Sequence, residues 1–178
     1  MRVVLETDRL ALREMEPSDL DVVAAMLADR EVMRHWPRPY TRDEAIDWIA
    51  RQRARYARDG HGYRLAVDRG TGRVVGQAGV MTIEVNRRAE LALGYILRRE
   101  HWGEGYATEA AAAVRDHGFA TTTHDRIVAL VRPVNLPSQG VARRLGMRPA
   151  GLTTYSGLAH VIFALDRPVP VRGPDAGP

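Results

Sequence analysis

Cysteine is absent from this chain, and so is lysine: all 26 basic residues are arginine. Without a thiol there is no disulfide framework, no thiolate metal site and no cysteine nucleophile, so any acyl transfer must proceed without a cysteinyl intermediate. The lack of lysine reads as compositional bias. Arginine titrates so high that it lifts the pI to about 9.9 although the formal net charge is only +4. Long runs of one charge are also missing; Arg87-Arg88, Arg98-Arg99 and Arg143-Arg144 are the densest basic spots and read as solvated element ends rather than a nucleic-acid footprint. Nor is there the run of about 18 apolar residues that a bilayer-spanning helix needs, or the apolar core of a signal peptide. The expectation is a cytoplasmic protein that contacts neither membrane nor nucleic acid directly.

What is present fits one domain with a real core: 178 residues, 45% of them hydrophobic. Residues 5–14 alternate as a single strand would. Ser18 with Asp21, then Thr41 with Glu44, are spaced as capping arrangements in front of two helices. Strands follow at 63–68, 73–84 and 89–97, joined by turns at Arg69-Gly70-Thr71-Gly72 and Asn86-Arg87-Arg88. A helix ending near Ala120, a strand at 126–132 and a short helix at 136–145 come next, the last with Asn135 as N-cap and Gly146 as left-handed stop. Two strands, 147–152 and 158–166, close the domain. Residues 1–166 are thus one unit, and 167–178, rich in proline and glycine, read as a disordered tail.

The most informative stretch is His101-Trp102-Gly103-Glu104-Gly105-Tyr106-Ala107-Thr108-Glu109-Ala110-Ala111, a glycine loop that opens directly into an alanine-rich helix. Two glycines let backbone N–H groups turn toward a ligand, and the helix adds its unsatisfied N-terminal donors, which together make an anion cradle. The loop lacks the Gly-Lys-Ser/Thr ending of a P-loop and the third glycine of a dinucleotide fingerprint, so neither of those ligand classes is indicated.

Trp102-Gly103-Glu104-Gly105-Tyr106-Ala107-Thr108-Glu109-Ala110 resembles the W-G-x-G-Y-A-T-E-A run of GCN5-related N-acetyltransferases (GNAT), in the branch that acetylates ribosomal-protein N-termini. Asn135-Leu136-Pro137-Ser138, closing at Leu145-Gly146-Met147, and the opening Glu6-Thr7-Asp8-Arg9-Leu10 resemble the same branch. The resemblance implies an α/β fold with a mixed, mostly antiparallel sheet of about seven strands, flanked by about four helices, whose central strands splay apart. It implies acetyl-CoA as co-substrate and no metal. Pantetheine would lie along Ile96 and Leu97, the pyrophosphate would meet the amides of residues 103–108, and Trp102, Asn135 and Ser138 would complete the cofactor site. Two positions depart from the wider family: Glu100 stands where glutamine or arginine is usual, which passes the positive charge to Arg98 or Arg99, and Ala142 stands where the wider family has a tyrosine acid.

An amine attacking a thioester needs a free lone pair, a donor for the developing oxyanion and a stabilised thiolate. Ser138 is the candidate donor to the thiolate, although a serine in a first helical turn and an asparagine N-cap have ordinary structural uses too. As the base, Glu84 and Glu90 rank equally, with His160 behind them and a water chain as the alternative. Trp36 and Tyr40, in the proline-broken loop between the first two helices, are candidate walls of the acceptor pocket, or staples of that loop. The expected reaction is direct attack by a primary amine in a ternary complex. The acceptor is a peptide N-terminus, a ribosomal protein among the options, or a small amine such as a polyamine, amino acid or antibiotic. A non-catalytic CoA-binding sensor is the rival reading, and a homodimer is left open.

Overall fold

Thr7 turns the first hydrophobic stretch back on itself. In the computed structural model, which describes residues 2–168, its N–H donates to the Leu10 carbonyl (2.8 Å) while its hydroxyl accepts from the Leu10 N–H (2.9 Å). Residues 5–14 are therefore a hairpin, β1 (Val3–Glu6) and β2 (Leu10–Arg13), rather than one strand. The next expectation also shifts. Asp19, not Ser18 with Asp21, organises the approach to α1 (Leu20–Ala28): its carboxylate accepts from the Glu16 N–H (2.8 Å) and from the Arg13 guanidinium (2.6 and 2.7 Å), closing one 3₁₀ turn that begins at Pro17. The Thr41–Glu44 capping box does open α2 (Arg42–Asp59), with Glu44 N–H to Thr41 Oγ1 at 3.2 Å and Thr41 N–H to Glu44 Oε2 at 2.8 Å.

The remaining elements are β3 (Tyr63–Asp68), β4 (Val74–Val85), β5 (Arg88–Leu97), α3 (Tyr106–Thr121), β6 (Arg126–Val131), α4 (Leu136–Arg144), β7 (Arg148–Tyr155) and β8 (Leu158–Asp166). The strands form one mixed sheet in the order β1-β2-β3-β4-β5-β6-β8-β7, with β5 and β6 as its one parallel pair. Met26, Leu27, Ala45 and Ile49 of α1 and α2 cover Tyr63, Leu65 and Ile96 on one face. On the other, Ala110, Ala111 and Val114 of α3 cover Val80, Leu91 and Ile127. Small residues let α3 lie close: a Cβ on Gly118 would meet Leu91, Val80 and Ile127 at 3.3–3.4 Å.

The parallel pair positions the site. β5 is paired with β4 from Arg88 to Leu97, but with β6 only at Leu91↔Ile127 and Ala92↔Val128. Beyond Ala92 the two strands part, so the second half of β5 has an edge with no strand partner. Val141 and Ala142 of α4, with Leu145 as its C-cap, are buried beside Leu93, Ala129 and Val131 at this gap. Arg167, the first residue of the expected tail, is held: its guanidinium donates to the carbonyls of Phe119, Thr122 and His124 at 2.5–3.2 Å and stacks over the Phe119 ring. Residues 169–178 lie outside the described residues.

Candidate active site

The glycine loop has the backbone that its sequence suggests. Gly103 (φ +81°) and Gly105 (φ +84°) both occupy the left-handed region, and Gly105 is the N-cap of α3. The N–H groups of Thr108 and Glu109 fold back onto the Gly105 carbonyl, each at 3.1 Å, whereas those of residues 103–107 find no acceptor among the described residues. The Thr108 amide, expected to face the ligand, is instead bonded within the helix turn. Five free amides at a helix N-terminus are a ready anion site.

Side chains brace this loop from behind. Arg9 donates to the Glu109 carboxylate (2.7 Å) and to the Glu104 carbonyl (2.9 Å), and its guanidinium lies 4.4 Å from the centre of the Tyr106 ring. Tyr106 Oη donates to Asp68 at 2.5 Å, and Trp102 Nε1 to the Leu97 carbonyl at 3.1 Å. The side chains of Glu104 and Tyr106 thus serve the loop's shape, and neither lines the cleft in front of it.

That cleft, of about 890 Å³, runs from the loop along the free edge of β5. Ile96, Leu97, Trp102, Ala107, Thr108 and Ser138 are among its walls. Arg98 is not: it pairs with Glu100 (2.7 Å) and donates to the Val74 carbonyl (3.2 Å). The cations at the cleft are instead Arg34, whose guanidinium stacks on the Trp102 ring at 5.3 Å, and Arg144, whose Nε donates to Thr108 Oγ1 at 3.2 Å.

A second cavity, of about 250 Å³, opens on the other side of the β5–β6 gap. Its aromatic wall is continuous: Tyr40 meets Trp48 edge-on at 6.2 Å, and Trp48 meets Tyr63 at 5.4 Å. Trp36 lines it too, so both expected acceptor-side aromatics reach this cavity. His35, Trp36, Tyr95, Asn135, Ser138 and Val141 line both spaces. Asn135 Oδ1 accepts from the Ser138 N–H (3.2 Å) as an N-cap, and Ser138 Oγ accepts from Tyr95 Oη at 3.0 Å. The Ser138 hydroxyl hydrogen is thereby left to donate elsewhere. Tyr95 was missed as a functional residue by the sequence pattern. It brings a hydroxyl from the strand to the gap where Ala142, 3% exposed, offers none from the helix.

The two glutamates and the histidine are separated clearly. Glu84 is exposed and lines neither cavity. Glu90, 2% exposed, is held by the Arg126 guanidinium (Nε at 3.0 and 3.1 Å) and faces Arg88 at 3.5 Å; it too lines neither. His160, 9% exposed, lines the second cavity. Its Nδ1 lies 2.8 Å from the Leu158 carbonyl, which only accepts, so Nδ1 carries the hydrogen and the neutral ring keeps its lone pair on Nε2. Burial pushes the His160 pKa below the ordinary 6.5; the Leu158 carbonyl opposes this and nearby Arg132 adds to it.

A mixed sheet that opens at its parallel junction, with a helix-capping glycine cradle beside the opening, defines the GNAT fold. The chain belongs to the GNAT acetyltransferase family, whose domain matches residues 9–148. It is 34% identical over 151 residues to the uncharacterized N-acetyltransferase p20 of Bacillus licheniformis, covering 83% of this chain and 84% of that one. Against the spermidine N(1)-acetyltransferase of Escherichia coli K12 it is 30% identical over 142 residues, 79% and 73% of the two chains. A solved GnaT-family acetyltransferase from Bordetella pertussis superposes with a TM-score of 0.79 at 28% identity, over 92% of this chain and 99% of that one. The ribosomal-protein-S5-alanine acetyltransferase of Vibrio fischeri shares the fold, with a TM-score of 0.76 at 20% identity and coverages of 93% and 97%. Among the described residues no group of three metal-ligating side chains converges, and no helix is long and apolar enough to cross a membrane.

Proposed function

We propose that the protein transfers an acetyl group from acetyl-CoA to a primary amine by direct attack within a ternary complex. The observation that carries this reading is that the long cleft and the aromatic cavity adjoin along a shared wall of His35, Trp36, Tyr95, Asn135, Ser138 and Val141. A donor in one and an acceptor in the other would meet at that wall, where Tyr95 and Ser138 bring the hydroxyls.

The cleft fits acetyl-CoA part by part. The free amides of Gly103, Gly105 and Ala107 on its wall suit a pyrophosphate, Arg34 and Arg144 offer charge to phosphates, and the unpaired edge of β5 at Ile96 and Leu97 offers backbone donors and acceptors to the pantetheine amides. Bound there, acetyl-CoA supplies an activated thioester carbonyl. The chain's own groups do the rest. Asn135 fixes the first turn of α4, Tyr95 orients Ser138, and Ser138 donates to the departing sulfur. His160 Nε2 is the base that frees the amine's lone pair, in place of Glu84 and Glu90.

Calorimetric titration with acetyl-CoA, followed by an assay of CoA release with amine present, tests the reading. Micromolar binding and amine-dependent release are expected. Absence of binding overturns it, and binding without release under any amine turns the protein into a CoA-binding sensor. Ser138→Ala should lower kcat about tenfold, the worth of one hydrogen bond to a charged atom, with little change in the acetyl-CoA Kd. Unchanged kcat would remove Ser138 from the chemistry.

A further inference from the structure

Arg132 stands in the aromatic cavity without a counterion. It follows directly on β6, lines the cavity, and has a fully buried Nε that makes no hydrogen bond. Among the described residues no carboxylate is within ion-pair distance of it, and no aspartate or glutamate lines the cavity at all. Its neighbours are His35 and His160. Burial lowers both histidine pKa values first; Arg34 and then Arg132 lower His35 further, and Arg132 lowers His160. Both rings are neutral at pH 7, so Arg132 is the cavity's standing charge. Arg132 is half-buried, and its one buried donor without an acceptor, Nε, faces a cost that a ligand supplying the acceptor removes.

We propose that the acceptor is a small amine that also carries a carboxylate on an apolar or aromatic body, that is, a free amino acid, with Arg132 holding the carboxylate. This deepens the acetyl-transfer reading and rests on it. A polyamine or an aminoglycoside presents only cations, and the cavity has no carboxylate to receive them while Arg132 repels them. A peptide N-terminus has a neutral amide where the amino acid has its charge. The volume, about 250 Å³, suits a single residue and lies below the range of roughly 300–1,000 Å³ typical of drug-sized ligands. The wall of Trp36, Tyr40, Trp48 and Tyr155 suits a large apolar side chain. In the reaction the amine nitrogen bonds to the acetyl carbonyl carbon as the C–S bond breaks. Of the two protons that the ammonium loses, one passes to His160 and on to water, and the other protonates the thiolate to give free CoA.

The test is a comparison of kcat/KM for L-phenylalanine, L-tryptophan and L-leucine with L-phenylalaninamide, phenethylamine, spermidine and an alanine-initiated tripeptide, using the unaltered protein. The amino acids are expected to exceed the amide and the decarboxylated amine by about 10- to 100-fold, the worth of one desolvated charge-assisted pair. Arg132→Gln should bring the ratio of phenylalanine to its amide close to one, and Arg132→Lys should keep part of it; a thermal melt checks that both variants fold. Preference for the amide, spermidine or the tripeptide, or no turnover of any amino acid, overturns the proposal, and acetyl transfer still stands if another amine drives CoA release. Absence of acetyl-CoA binding by calorimetry takes down both.

Discussion

Gly105→Val weakens acetyl-CoA binding by about 10- to 100-fold, because a β-branched residue is strained by roughly 1–3 kcal/mol at the backbone angles the cradle needs. The effect is conformational rather than steric. A Cβ at Gly105 would approach only Arg9 Nη2, at 3.4 Å, and one at Gly103 would meet nothing within 4 Å. What the substitution disturbs is the left-handed φ of +84° in a loop whose amides at residues 103–107 make no hydrogen bond among the described residues. The loop has two ways to respond. It can keep its shape and carry the strain, which lowers stability, or it can relax to negative φ and turn the amides away, which lowers affinity. The Arg9–Glu109 pair and the Tyr106–Asp68 hydrogen bond resist the second response from behind. Calorimetry and a thermal melt on Gly105→Val therefore read the two together. An unchanged Kd with an unchanged melting temperature would mean that the glycines are no part of an anion site.

The backbone of the glycine loop was legible in the sequence because two glycines, a helix start and a preceding strand lie within a dozen residues, whereas its braces, Arg9 and Asp68, come from distant segments and were not. The Thr41–Glu44 box and the Asn135 cap were legible for the same reason, their partners being three residues away. The first hairpin was missed although it is local, since alternation alone continues smoothly through Thr7-Asp8-Arg9 and only the threonine hydroxyl marks the turn. The sequence does not show that Arg98 pairs with Glu100 rather than lining the cleft, because that depends on which way a 3₁₀ turn at residues 99–101 faces.

The acceptor side was hardest to read, since its parts come from distant segments. Trp36 comes from the loop before α2, Tyr95 from β5, Arg132 from the end of β6, Ser138 from α4 and His160 from β8, and no spacing links them. Glu90 illustrates the consequence. At the start of the strand leading to the cofactor loop it had the chemistry of a base, and only the long-range pairing of β5 with β6 shows that Arg126 occupies its carboxylate. Arg144 was read as one of a solvated pair for the same reason: Thr108, its partner, is 36 residues away.

His160→Asn tests the assignment that this geometry most changes. The variant keeps a polar group of similar reach but has no titratable nitrogen, and kcat is expected to fall by about 10²- to 10³-fold, within the range for loss of a positioned base. The pH dependence gives the sign. Activity needs the Nε2 lone pair, so the rate falls as pH drops through the His160 pKa, and burial, with Arg132 adding and the Leu158 carbonyl opposing, sets that pKa below 6.5. In the unaltered protein the limb due to this group therefore lies on the acid side of 6.5, and through neutrality the ring is already competent. In His160→Asn that limb disappears, leaving only titration of the amine itself, while the acetyl-CoA Kd stays within a few fold because His160 does not line the donor cleft. A merely structural histidine would behave differently. Its loss would lower kcat and melting temperature together and leave the shape of the pH profile intact. If the limb survives in the variant, the proton leaves through water, and the Nδ1 bond to Leu158 serves only to fix the β7–β8 turn.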